Sequence, residues 1–272
     1  MRTRAAAILL LSAVLGLTAS TADAQYSVKG PSDPATGERY HVEIGGFLWN
    51  PTPDIIISSE SLGIVGSSID FVNDLGIEKT RFKQLRVVLR PAKKHKLRFE
   101  YTPITYNAVG TLTAPVVFNG IRFPVTFPVN TNLQWKAYRF GYEYDFVSRD
   151  RGFVGLILEA KYTDVQATLS NILATEFARA RAPIPAIGAI GRVYVVPNIS
   201  ITAEFSGIKL PDSVNDDYRA KYYDLDIYGT VNFTDHFGAQ AGYRSFDVLY
   251  KVKKDQGDLL LKGLYLGGIV RF

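Results

Sequence analysis

Four segments of this chain keep their charges on one side of a strict two-residue alternation. Between Tyr138 and Phe146, the residues Tyr138, Phe140, Tyr142, Tyr144 and Phe146 share one parity, while Arg139, Glu143 and Asp145 share the other. Val154, Leu156, Leu158, Ala160 and Tyr162 oppose Glu159 and Lys161, and Ile199, Ile201, Ala203 and Phe205 oppose Ser200, Thr202, Glu204 and Ser206. Tyr223, Leu225, Ile227, Val231 and Phe233 oppose Asp224, Asp226, Thr230 and Asn232. Successive side chains of a β-strand point to opposite faces, so each segment reads as a strand with one apolar and one charged face. A sheet of such strands can meet lipid on one side only if it closes on itself, because an open edge would leave backbone polar groups unpaired in hydrocarbon.

Both ends of the chain fit that reading. Counting back from Phe272, the residues Val270, Gly268, Leu266 and Leu264 form an apolar or small face, with Arg271, Gly267, Tyr265 and Gly263 on the other. We read Phe272, Val270, Leu266 and Leu264 as the signal that barrel-insertion machinery recognises. At the other end, Arg2 and Arg4 precede an apolar run from Ala5 to Leu17, and Ala22-Asp23-Ala24 supplies small residues at a cleavage site. Residues 1–24 are therefore expected to be a signal peptide, 25–38 a periplasmic segment and 39–272 the barrel. Removing Arg2, Arg4 and Asp23 changes the formal net charge from +5 to +4, a balance too mild to argue for nucleic acid. With no Cys, disulfides, thiolate metal sites and a Cys nucleophile are excluded.

Short polar stretches, such as Pro91–Lys96, Ser148–Gly152, Pro197-Asn198 and Thr234–His236, read as periplasmic turns. The longer stretches around 51–80, 111–130, 167–186, 210–219 and 253–258 alternate with them and read as extracellular loops. Asn119-Gly120 predicts a two-residue hairpin turn, so the third and fourth strands should continue as a ribbon above the membrane. The expected fold is all-β, a single antiparallel up-and-down barrel of ten strands. They lie near 39–50, 81–91, 96–110, 131–147, 153–167, 187–197, 199–209, 219–233, 237–252 and 258–272. Eight strands would require merging two of these segments; Ile55-Ile56-Ile57 with Ser68–Phe71 would make twelve. In the ninth strand Phe246, Val248 and Tyr250 share the parity of Arg244, for which a β-bulge is expected.

The alternation assigns sixteen charges to the interior. The cations are Arg86, Arg90, Arg98, Arg139, Lys161, Arg192, Arg244 and Arg271. The acids are Glu43, Glu100, Glu143, Asp145, Glu159, Glu204, Asp224 and Asp226. An Arg or Lys facing the bilayer centre would cost about 2–4 kcal/mol, so the lumen is where these side chains belong. Barrels of about eight strands are filled by their own side chains, and wide aqueous channels need ~16–18 strands. The balanced signs also argue against an ion-selective pore, which would show one sign in excess. A paired polar core is the preferred reading, and a selective pore the other.

Reactive constellations are sparse. Of three His, His41 starts the first strand and His95 and His236 fall in periplasmic turns, whereas omptin proteases and lipid A-modifying barrels place His with acids near the outer rim. His41 with Glu43 shares a face but lacks a neighbouring Ser. Asp216-Asp217, after Asp212 and Asn215, lacks the calcium-loop spacing and reads as a solvated loop. Phe177–Ala186 mixes apolar residues with Arg179, Arg181, Pro183 and Pro185, and could fold into the mouth as a lid. Aromatic belts are expected from Phe146, Phe153, Phe233, Phe237 and Phe272 at the periplasmic side, and from Tyr106, Trp135, Tyr162, Tyr223 and Tyr250 at the other.

Gly242-Tyr243-Arg244-Ser245-Phe246-Asp247-Val248-Leu249-Tyr250, with Asp258–Gly263 and the closing strand, resembles a broad, functionally uncharacterised group of bacterial outer-membrane β-barrel proteins. Ser68–Gly76 and the Arg90-Pro91…Lys94-His95-Lys96-Leu97 turn are similar to that group as well, and the OmpA-type and OmpW-type small barrels are a more distant likeness. The resemblance implies the fold and an outer-membrane location, and brings no catalytic residue with it. The expected function is a non-enzymatic integral outer-membrane protein with a largely closed lumen, no cofactor and no metal. Its expected partners are outer-membrane lipid, lipopolysaccharide and the insertion machinery. The alternatives are a narrow channel for small or apolar solutes and a lipid-modifying enzyme.

Overall fold

In a computed structural model, residues 33–58, 64, 66–210, 218–252 and 255–272 are described. The signal peptide and the Asp212–Asp217 loop of the sequence reading lie outside them. Thirteen strands follow in chain order: β1 (Val42–Ser58), β2 (Ile69–Asp70), β3 (Phe82–Ala92), β4 (His95–Gly110), β5 (Val116–Phe118), β6 (Ile121–Phe123) and β7 (Val129–Arg149). After these come β8 (Gly152–Ser170), β9 (Thr175–Val196), β10 (Ile199–Lys209), β11 (Tyr218–Asn232), β12 (Phe237–Val252) and β13 (Asp255–Arg271). Each strand of the wall pairs antiparallel with its sequence neighbour, and β13 pairs with β1 from Glu43 opposite Arg271 to Ser58 opposite Gln256. The ring is therefore closed, from ten strands: β1, β3, β4 and β7 to β13. At the seam the Phe272 carbonyl accepts from the amides of His41 and Val42, at 2.7 and 3.1 Å.

Twelve strands are not formed. Ile55–Ile57 finishes β1, and the Ile69–Asp70 bridge adds only two residues against it. The expected bulge in β12 is absent too, since its pairing runs without interruption on both sides. Phe246 and Val248 point into the lumen beside Arg244, because the lumen above the charges is apolar and takes them. The expected loop and lid at 167–186 is instead a hairpin of β8 and β9, turned by Asn171, whose side chain accepts from the amides of Leu173 and Ala174.

The outer face divides into two zones. Near the termini it is apolar: Ile44 and Leu48 on β1, Phe140 on β7, Leu156 and Leu158 on β8, Ile187 and Val193 on β9. Leu264, Leu266 and Phe272 are 70 %, 63 % and 66 % exposed there, and Val270 lies on the same face. Higher up the same parity becomes polar, with Asn50, Thr52 and Asp54 on β1 and Gln134 and Lys136 on β7. A strand needs about 9–11 residues to cross a bilayer. The 21 and 22 residues of β7 and β9 therefore carry the wall well beyond the apolar band. The chain is a transmembrane β-barrel of the outer membrane, with Phe272 and the short turns at its periplasmic end.

Two connections fold inward over the wall. Asn119 and Gly120 take φ of +48° and +82°, the backbone a tight primed turn requires, and join β5 to β6 as a sheet of their own. Phe118 and Phe123 from this ribbon are buried, so it caps the mouth rather than prolonging β4 and β7. Residues 69–77 are set by Asp70, whose carboxylate accepts from the amides of Val72 and Asn73 at 2.9 Å. This turn places Ile69, Phe71, Leu75 and Ile77 against Trp49, Ile55, Trp135, Phe246 and Leu261 of the wall. The outer half of the lumen is thus a hydrophobic core. Trp135 and Tyr106 belong to it, Phe153 also turns inward and Tyr250 packs against it, so these four correct the expected belts: each shares parity with inward-facing neighbours. Tyr162, Phe146, Phe233, Phe237 and Phe272 do face outward.

A charge-paired lumen as the candidate functional site

Below the hydrophobic core the inward residues are charged, and the register sets both opposite and like signs level with each other. Arg86 lies opposite Glu100, Glu100 opposite Arg139 and Arg139 opposite Lys161 in register. Side chains then cross the lumen to complete the pairs. Arg86 bonds Asp226 at 2.8 Å and Glu100 at 3.3 Å, and Tyr265 donates its hydroxyl to Asp226 at 2.8 Å. Glu100 also pairs with Arg244, which bonds Asp224 at 2.9 Å. Lys161 joins Asp224 at 2.8 Å to Glu159 at 3.2 Å. Arg139 contacts both Glu159 and Glu204. Arg98 bridges Glu204 and Glu143, each at 2.6 Å, and Lys96 bridges Glu143 at 2.6 Å and Asp145 at 2.9 Å.

The result is one thread of strictly alternating sign from Asp226 to Asp145, holding six cations and seven acids. None of its side chains is more than 7 % exposed. Every charge between the two end acids has partners on two sides, the condition under which Coulomb attraction can offset the desolvation of a buried ion. The cavity among Glu43, Arg86, Arg98, Glu143 and Arg192 measures about 10 Å³. That is at the lower limit for one water molecule.

A second cluster closes the periplasmic end, organised by the segment before β1. Glu38 bonds Arg192 at 2.8 Å and the Tyr194 hydroxyl at 2.8 Å, while its carbonyl accepts from Arg90. The Thr36 carbonyl accepts from Asn232 at 2.7 Å, and the Gly37 amide donates to Asp235 at 2.7 Å. Gly37 has φ +78°, and a Cβ there would meet the Arg271 guanidinium, so this crossing requires glycine. Arg271 in turn bonds Glu43 at 2.6 Å and Asn232 at 2.7 Å.

Of the sixteen interior charges read from the sequence, twelve lie in the thread and Arg90, Arg192, Arg271 and Glu43 in the periplasmic cluster. Lys96 was placed in a turn by its basic neighbours, yet it has the parity of Arg98 and Glu100, and its ammonium sits 3.5 Å above the Phe153 ring. Glu38 precedes any periodic segment and gives no signal in the sequence. His41 is exposed at the rim, its ring 3.3 Å from the Arg90 carbonyl, while His95 bonds Tyr142 on the outer wall. No His enters the lumen among the described residues.

No protein-family model matches this chain, and no curated protein matches it. Among solved structures it is similar to the outer membrane protease OmpT from Escherichia coli, at 10 % identity and a TM-score of 0.60, over 89 % of this chain and 100 % of that one. Also similar are Ail, the attachment invasion locus protein of Yersinia pestis (10 % identity, TM-score 0.36, 85 % of this chain and 98 % of that one), and the toluene transporter TodX of Pseudomonas putida (10 %, 0.35, 89 % and 92 %). At this identity the likeness to OmpT is one of fold alone.

Proposed function

We propose that this outer-membrane β-barrel is a non-enzymatic protein with a sealed lumen, whose work is done on its outer surfaces. The observation that carries the reading is the stacking of three seals along one axis. The Thr36–Tyr40 segment crosses the periplasmic end, the alternating charge thread fills the middle, and the core around Trp49, Trp135 and Phe71 fills the outer half. The placement of all three His toward the periplasmic end supports the absence of enzymatic chemistry at the outer mouth. What projects beyond the membrane is the extended β7–β8–β9 wall and the inward-folded caps, a rigid surface suited to contact with the cell envelope or other cells.

Liposome swelling with the refolded chain tests this. Sugars and small ions should enter no faster than in protein-free vesicles, and lipid A, phospholipid and peptide substrates incubated with the protein should be recovered intact. Swelling, or turnover of any of these substrates, would contradict the reading.

A further inference from the structure

The outer face of β4, β7, β8 and β9 changes chemistry in level rows. Tyr101, Tyr138 and Tyr162 lie side by side in register, the first two rings stacked at 4.7 Å and the next pair 6.2 Å apart. Below this row, toward the membrane centre, Phe99, Phe140 and Ala160 are in register, with Leu158 one step further down. One step above it, Lys136, Asp164 and Arg181 are directly opposite one another across three strands. The next row up holds Gln134, Gln166 and Arg179, and the one beyond it Asn107 and Asn132, joined by a 2.6 Å hydrogen bond. A groove of about 320 Å³ runs along these last residues beside Thr168 and Ser170.

The basic row carries unspent charge. Asp164 takes both oxygens to Arg179, at 2.8 and 2.6 Å, and accepts from Arg181 at 3.3 Å. The hydrogen bonds from Arg179 hold the Asp164 carboxyl down to about 2. One acid thus serves two arginines, and among the described residues no carboxylate is paired with Lys136. The opposite wall differs. There acids and bases are interspersed, with Asp54, Asp247 and Asp258 among Lys209, Lys221, Arg219, Lys251 and Lys262; Lys221 pairs with Asp247, and burial together with Asp247 and Asp54 pushes the Asp258 carboxyl up.

We propose that the β7–β9 wall binds one lipopolysaccharide molecule laterally, with its acyl chains along Phe99 and Phe140, its glucosamine phosphates on Lys136, Arg179 and Arg181, and its sugars along the Asn107–Asn132 groove. The order of rows (apolar, aromatic, cationic, amide) is the order of that lipid's own groups from membrane centre outward. A phospholipid would satisfy the lower rows and leave the amide groove unused. The inference rests on the outer-membrane placement, and not on whether the lumen is sealed.

The test is native mass spectrometry of the refolded full mature chain in detergent, with bisphosphorylated lipopolysaccharide, its dephosphorylated form and phosphatidylglycerol as probes. Heat-modifiable gel migration reports folding of every variant. The unmodified protein should hold one bisphosphorylated molecule. Lys136→Gln/Arg179→Gln/Arg181→Gln should weaken it by about tenfold or more, as should removing the phosphates. Lys221→Gln/Lys262→Gln should change it less than about twofold. Lys136→Gln alone, which breaks no ion pair, should weaken binding by about threefold to fivefold and serves if the triple variant does not fold. Equal binding by the basic-row variants, an equal loss in the opposite-wall variant, or equal retention of phosphatidylglycerol would overturn the proposal.

Discussion

Arg139 shows how much of this molecule depends on single side chains. It contacts Glu159 and Glu204 and lies 3.8 Å from Asp224, with 5 % of its surface exposed. Arg139→Ala would leave those carboxylates short of a partner in a dry interior, and the expected loss is about 3–5 kcal/mol of stability. Denaturant unfolding of the refolded variant, followed by the loss of heat-modifiable migration, measures it; a loss below about 1 kcal/mol would mean the thread is solvated. At this scale parity made the wall's interior legible, since a charge cannot face lipid cheaply. It failed at Lys96, where Lys93, Lys94 and His95 suggest a turn, and at Phe153, whose aromatic character suggested a belt although it shares parity with Glu159.

Strands reach further than their alternation suggests. Pro183 and Pro185 argued for a loop, because Pro has no amide to donate to a ladder. Among the described residues, however, the pairing of β9 with β10 stops at Ile187, so Pro183 and Pro185 lie beyond the last β9–β10 pair and are matched there by β8 alone. The inward-folded turn at 69–77 was equally hidden: its residues pack against strands far away in sequence, and only the closed ring brings them together. Phe71 is fully buried at its tip. Phe71→Ala should therefore lower stability by about 3–5 kcal/mol without changing the denaturant dependence. An unchanged unfolding midpoint would show that this turn does not seal the outer lumen.

At the scale of the whole molecule, closure and the apolar outer band follow from the alternation, whereas the division of the lumen does not. Ten strands enclose a space narrow enough to be filled by side chains. The sequence accounts for the charged part of the filling; the apolar part comes from connections whose placement depends on the finished wall. Glu38 and its neighbours complete the filling at the periplasmic end. With its lumen filled along the whole axis, this barrel should let nothing pass. Single-channel recording of the refolded, unmodified chain in planar bilayers tests it most directly. A flat current trace across the applied voltage range is expected, and steady ohmic openings would show an open lumen.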